Sequence, residues 1–307
     1  MKTAIVTGIA GGLAGLVARR LKDEGYKVVG VDYRPMRDEL PFVDHVYQAN
    51  YNKTKIEDVF RRHPPSHVLH LGRVGNLKQT IKKRFDLNVI GSRKVMDLAG
   101  RYGAKRMVVL STFHIYGAHP HNHIPIYEDE PLRAGMESPQ IGDAIQLDNQ
   151  AITWTYQHPE CKTAILRPTN VIGPNIKNAM SNFLRSKRGP VMMGFDPMVQ
   201  FIHENDLVDA LVAVAAGEAV GIYNVVGQGT LPWRTALDVV GMQQIPIPST
   251  AAITYLKMAG LMSRALPPYM VNFFMYPCVI SDAKIRETFD FAPSVAIEDA
   301  LRSTRLA

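Results

Sequence analysis

Cysteine is scarce in this 307-residue chain, with Cys161 and Cys278 its only two. They are too few for a disulfide framework and have no metal-ligand spacing, which fits a reducing compartment and a fold without covalent staples. Long apolar runs are missing as well. None approaches the roughly 18 residues of a membrane span, and Met1-Lys2 leads into Thr3-Ala4-Ile5-Val6, too short a run for the apolar core of a signal peptide. The expected location is the cytoplasm. Internal repeats, low-complexity tracts and a separating linker are also lacking, while 46% hydrophobic and 21% charged residues describe a soluble globular protein. Acidic excess is absent too: 35 Lys and Arg face 28 Asp and Glu, for a net charge of +7. The basic residues come in scattered pairs such as Arg19-Arg20, Arg61-Arg62 and Lys82-Lys83, without an interleaved aromatic stripe. That pattern suits an anionic small molecule and gives no reason to expect nucleic acid.

What is present is an alternation of short apolar runs and longer helical patterns. Ile5-Val6-Thr7, Lys27 to Asp32, His67 to Leu71, Met107 to Leu110 and Thr163 to Leu166 are short and rich in β-branched residues, as strands buried on both faces must be. Helical periodicity fills Leu13–Glu24, Lys55–Arg62, about Thr80–Tyr102 and about Pro139–Gln157. Strand alternating with helix predicts a doubly wound α/β fold with a mostly parallel sheet of seven strands. After Gly173-Pro174 proline and glycine become denser, Ile222–Val226 is the last clear strand, and short helices are expected near 205–216, 281–289 and 297–303. The division is therefore an α/β core over residues 1–173 and a smaller lobe over 174–307, which returns one strand and one helix to the core.

The turn after the first strand reads Thr7-Gly8-Ile9-Ala10-Gly11-Gly12-Leu13-Ala14. A backbone that turns tightly, approaches a pyrophosphate and packs its helix on a strand needs small residues at the places of Gly8, Gly11 and Ala14. Asp32 ends the second strand, where an acid binds a ribose diol. Asp32 repels a 2′-phosphate and so favours NAD, whereas Arg34 offers a cation that would offset this and admit NADP.

With these residues the chain resembles the extended short-chain dehydrogenase/reductases, the NAD-dependent epimerase/dehydratase family. The likeness rests on the glycine turn with Asp32, on His70-Leu71-Gly72, Asn88-Val89-Ile90-Gly91-Ser92, and Ser111-Thr112-Phe113-His114-Ile115-Tyr116-Gly117. It continues through Leu166-Arg167-Pro168-Thr169-Asn170-Val171-Ile172-Gly173-Pro174, Phe201 to Leu207 and Ser281 to Lys284. The resemblance implies that Asn50 and Tyr51 stand beside the adenine, that Leu71 and Gly72 lie along the ribose-phosphate, and that Thr112 is the hydroxyl residue near the nicotinamide. It also places Arg73, Asn88 and Pro168 around the cofactor, Asn170 at the substrate, and the helices near 80–102 and 139–157 in the interface of a homodimer.

One departure bears on the chemistry. The family's catalysis uses a Tyr and a Lys four residues later on the helix before Leu166, the Lys lowering the phenol pKa. A gap-free count back from Leu166 reaches Gly142 and Gln146, and between Pro139 and Tyr156 the helix has neither a Tyr nor a Lys. The pattern resembles the atypical subgroup that keeps the cofactor fold and loses the dyad. His114 stands where the family's dehydratases carry a Glu that acts as a base. It either does acid–base work there or holds the turn by hydrogen bonds. His119, His121 and His123 alternate in a loop marked by Pro120 and Asn122, and no metal is expected.

The substrate half departs as well. Val199 stands where nucleotide-sugar members place an Arg for the diphosphate, and 251–280 is rich in Met and aromatic residues. A flexible, partly apolar hydroxyl or carbonyl compound is the expected substrate, although the same residues would also serve as a lobe core or a subunit contact. Lys257 and Arg264 fall on one helical face, which permits peripheral contact with anionic lipid. Two functions remain open: an atypical NAD-dependent oxidoreductase, or a cofactor-binding sensor or structural subunit without turnover.

Overall fold

Short β-branched segments buried on both faces build the centre of the structure, a computed structural model that describes residues 2–36, 39–75, 79–137, 139–248 and 268–306. The first half runs β1 (Thr3–Thr7), α1 (Gly12–Asp23), β2 (Lys27–Asp32), β3 (His45–Gln48), α2 (Thr54–Arg62), β4 (His67–His70) and α3 (Ile81–Phe85). A π-helical turn (Asp86–Gly91) follows, then α4 (Ser92–Arg101), β5 (Arg106–Leu110), α5 (Ala134–Glu137), α6 (Gly142–Gln157) and β6 (Lys162–Pro168). The second half is more broken: β7 (Asn170–Ile172), α7 (Ala179–Leu184), β8 (Arg188–Met192), β9 (Met198–Val199), β10 (Phe201–His203), α8 (Glu204–Ala216) and β11 (Gly221–Val225). It ends with β12 (Leu231–Pro232), α9 (Trp233–Val239), β13 (Gln243–Ile247), α10 (Ala283–Phe289) and α11 (Ile297–Ser303).

Seven strands form one sheet in the order β11-β6-β5-β4-β1-β2-β3, and every neighbouring pair is parallel. The order reverses between β1 and β4, where Thr7 lies level with both Val31 and His70. A crevice at the carboxyl ends of the strands opens at such a switch point. Alternate residues of each strand feed two cores, which is why the runs are continuously apolar. Val6, Val28, Leu69 and Leu166 pack with Val17 of α1 and Leu211 of α8 on one face, and Ile5, Val29, Met107 and Ile165 pack with Phe60, Val95 and Trp154 on the other. The second half thus returns β11 and α8 to the sheet, while Met180, Phe183, Trp233 and Phe274 form a separate core.

Two features depart from the sequence expectation. β3 is an exposed edge strand whose short His-Val-Tyr-Gln segment lacks an apolar run. The helix expected over 80–102 is interrupted by the π turn, a change of hydrogen-bond spacing that hydrophobic periodicity does not register. Of the apolar stretch 251–280, residues 251–267, with Lys257 and Arg264, lie outside the described residues. The remainder includes a 3-10 helix over Pro268–Phe274.

Candidate cofactor and substrate site

The glycine turn is shaped by crowding. Gly8 has φ +79°, and its N–H donates to the Val31 carbonyl at 2.8 Å and to the Tyr51 hydroxyl at 2.9 Å. A Cβ on Gly8 would lie 2.7 Å from Gly72 Cα, so the two backbones meet only because both lack side chains. Gly11 donates to the Gly8 carbonyl at 2.8 Å and serves as N-cap of α1. No side chain caps that helix and no acid lies in its first turn, which leaves the leading N–H groups of Gly12 and Leu13 suited to an anion. Ile9 is buried and a Cβ on Gly30 would strike it, which fixes the turn on β2.

Asp32 is buried and held by four donors. Its Oδ1 accepts from Arg34 N at 2.8 Å and Arg34 Nε at 3.0 Å, and its Oδ2 accepts from Ala10 N at 3.0 Å and Arg34 Nη2 at 2.9 Å. The bond to Asp32 raises the Arg34 pKa. Asn50 Oδ1 accepts from Asn52 N at 3.2 Å. Burial pushes the Tyr51 phenol up, so it stays protonated. Beneath the turn, Thr7 Oγ1 lies 2.8 Å from His70 Nδ1 and accepts from Gly72 N at 3.1 Å, while His70 Nε2 lies 2.7 Å from Ser92 Oγ. Burial lowers the His70 pKa to about 4, so this chain of bonds runs through a neutral imidazole. Leu71 is buried and Arg73 half-buried beside it. Asn88 is carried by the π turn, bonds both backbone groups of Val74 at 2.7 and 3.0 Å, and donates to Asp143 Oδ2.

At the other end of the crevice Thr112 Oγ1 lies 2.9 Å from His114 Nδ1. Burial first, and Arg73 second, lower the His114 pKa to about 3. A pKa near 6.5, expected of an ordinary imidazole, therefore does not describe this residue. Ser111 Oγ and Thr169 Oγ1, just past β5 and β6, are buried without a hydrogen-bond partner. Pro168 is buried at the end of β6, level with Val225. On α6, Gln146 faces solvent, whereas Asp148 turns inward and its carboxylate holds Arg167 at 2.6 and 3.1 Å. The inward face carries Ala144 one turn before Asp148. A Cβ on Gly142 would meet nothing within 4 Å.

Phe113 leads into an apolar cleft. Its lining includes Met180, Val199, Phe201, Trp233, Phe273 and Cys278, with Asn170 and Gln200 as the polar members and no charged side chain among the described residues. Gln200 is committed to both backbone groups of Ile280. Burial raises the Cys278 thiol pKa, so it behaves as a small apolar group. Phe273 packs edge-on against both Phe113 and His114, joining the lobe to the turn after β5. The structure thus brings Thr112, His114 and Asn170 to one end of the crevice and the glycine turn, Asp32 and Tyr51 to the other. His119 and His121 lie elsewhere with their rings tilted against each other at 5.2 Å, and no group of three or more metal-ligating side chains occurs among the described residues. Sequence reasoning missed Tyr33, Lys83 and the Arg84–Asp143 pair at 3.7 Å. The pair Lys82-Lys83 was the available signal for one of them. No helix among the described residues is long and apolar enough to cross a membrane.

Comparison with known proteins extends this geometry. The sequence model of the NAD dependent epimerase/dehydratase family matches residues 4–226. An uncharacterized protein of Mycobacterium tuberculosis is 26% identical over 80% of this chain and 68% of its own length. A UDP-glucuronate 4-epimerase of Thermodesulfobacterium geofontis is 26% identical over 58% of this chain and 59% of its own. Among solved structures, the UDP-glucose 4-epimerase of Thermus thermophilus in complex with NAD superposes with a TM-score of 0.75 at 19% identity, covering 99% of this chain and 97% of that one. Pal from Bacillus thuringiensis reaches 0.79 at 17%, covering 99% and 98%. These likenesses show a shared fold.

Proposed function

As the chain belongs to the NAD dependent epimerase/dehydratase family, we propose that it is an NAD-dependent oxidoreductase acting on a small, partly apolar hydroxyl or carbonyl compound without the usual Tyr-Lys dyad. The observation that carries this reading is the cleft beside Thr112, whose lining holds Phe113, Val199, Trp233 and Phe273 and no charge among the described residues. Against these residues a sugar nucleotide would bury its diphosphate without a cation, which is costly. An apolar body with one hydroxyl or carbonyl would not.

The residues fit a dinucleotide. Gly8 and Gly72 are packed so closely that neither tolerates a Cβ, α1 is uncapped, and Ser111 and Thr169 present buried hydroxyls without partners. Bound NAD supplies a reversible two-electron acceptor at its nicotinamide ring. The chain's own part is to hold the pyrophosphate on the first N–H groups of α1 and to orient the adenosine ribose by Asp32. Thr112 then directs the reacting oxygen, its hydroxyl fixed by a His114 that is neutral at pH 7. The cleft excludes water from the substrate.

A second reading, cofactor binding without turnover, is favoured by one observation: no Tyr or Lys occupies the inward face of α6. One experiment separates the two. NADH binding is measured by fluorescence, and apolar secondary alcohols and ketones are then compared with UDP-glucose by following nicotinamide absorbance. Turnover confined to the apolar compounds supports the first reading. NADH binding with no turnover on either set supports the second, and robust conversion of UDP-glucose overturns the substrate assignment.

A further inference from the structure

The reaction proposed above releases a proton from the substrate hydroxyl, and several candidates to receive it are weak or occupied. His114, with a pKa of about 3, is a poor base. Burial keeps the Cys278 thiol protonated, and both carboxylate oxygens of Asp148 are taken by Arg167. A different charged pair lies at the same edge of the sheet. The β4 to β5 and β5 to β6 connections join parallel strands, so α4 and α6 run back along the sheet and begin near the carboxyl ends of those strands. Arg84, just before the π turn, and Asp143, in the first turn of α6, meet there.

The two side chains are only 4% and 8% exposed, with Arg84 Nη2 3.7 Å from Asp143 Oδ1. The same nitrogen donates to the Gln140 carbonyl at 2.6 Å, which ties the guanidinium to the start of α6. Asp143 Oδ2 accepts from Asn88, and Asn88 grips both backbone groups of Val74. Val74 follows Arg73, whose charge reaches His114, and His114 is bonded to Thr112. The segment Arg73-Val74 thus links the carboxylate to the Thr112 hydroxyl. Two atoms of the pair remain uncommitted among the described residues. Asp143 Oδ1 accepts no hydrogen bond, and Arg84 Nε is buried without a partner. An unpaired buried donor is costly, which points to an acceptor oxygen that arrives with a ligand. There is room beside them, since a Cβ on Gly142 would meet nothing within 4 Å.

We propose that Asp143 is the proton acceptor of this protein and Arg84 its positioning residue, in place of the absent Tyr-Lys dyad. The substrate O–H bond breaks and its proton passes to Asp143 Oδ1, while the carbonyl forms and the C–H electron pair leaves as hydride to the oxidised nicotinamide. Ketone reduction returns the proton from Asp143. The inference rests on the oxidoreductase reading above. It is tested on the full-length wild type, Asp143→Asn, Asp143→Ala, Arg84→Met and Arg84→Lys by thermal midpoint, NADH affinity from fluorescence, and oxidation of apolar secondary alcohols. Asp143→Asn should keep its NADH affinity and lose about 10²–10⁴-fold in turnover. Asp143→Ala should regain part of that loss as formate is added. Arg84→Met should lower kcat with KM and NADH affinity held, and Arg84→Lys should recover part of it. Turnover retained by Asp143→Asn, or a loss in folded Asp143→Ala that formate leaves unchanged, overturns the assignment. A folded wild type that binds NADH and oxidises none of the alcohols strikes the oxidoreductase reading itself, and the pair with it.

Discussion

Tyr51 and Gly72 contend for one small volume: the Tyr51 hydroxyl that accepts the Gly8 N–H lies where a Cβ on Gly72 would have to go. A large residue after β3 has been matched by the smallest residue after β4, and the glycine turn is supported from below by a phenol. The same contact holds three segments of the candidate cofactor site together.

Gly72→Ala should destabilise the protein by about 1–3 kcal/mol, the usual cost of an added methylene where nothing can shift. Tyr51→Leu removes the hydroxyl and should reduce that cost when the two are combined. A double-mutant cycle from urea unfolding measures the coupling, and strict additivity would refute the steric link.

Asp32→Ala should weaken NAD binding by about 1–3 kcal/mol, since the ribose hydroxyls lose their acceptor and Arg34 loses its counter-ion. Calorimetry checks this directly. An unchanged affinity would remove Asp32 from the site.

Imidazoles held neutral by their surroundings make the fold sensitive to acid. His70 and His114 have folded-state pKa values lowered to about 4 and about 3, against about 6.5 in an unfolded chain. The unfolded chain therefore takes up protons first as pH falls. Their contribution is intact above about pH 6.5 and declines toward pH 3–4, by about 1.4 kcal/mol per pH unit for each imidazole. Thermal midpoints recorded from pH 7.5 to 4.5 should fall accordingly, and His70→Gln should fall less steeply. A flat profile would contradict the burial of both residues.

The surface of the α3 to α6 region leaves Ile81, Ile90 and Tyr156 exposed, Tyr156 by 82%. If these helices meet a second copy across a two-fold axis, light scattering at micromolar concentration should report a dimer, and Ile90→Asp should give a monomer with unchanged circular dichroism. A monomeric wild type would exclude the arrangement.

The central sheet was legible because both its faces are buried. Val28, Val29 and Val31, like Met107 to Leu110, had to be apolar throughout, and that is a strong local signal. The glycine turn was legible for a similar reason, since the close approach of Gly8 to Gly72 restricts residue type. β3 was not legible, because an exposed edge strand of four residues is free to be polar. The guanidinium fork on Asp32 depends on a rotamer, and the low pKa of His114 depends on packing that includes Phe273 from a distant segment. Neither has a one-dimensional signature.

The π turn over Asp86–Gly91 is one residue longer than a regular helical path requires. Deleting a single residue there would restore α-helical spacing and rotate everything upstream by about 100° relative to α4. The shortened helix would be the better helix in isolation. It would also swing Asn88 away from Val74 and from Asp143, so the extra residue trades local regularity for an inward-facing amide. Length polymorphism at this turn in related chains would then sort those that keep the Asn88 clamp from those that have lost it.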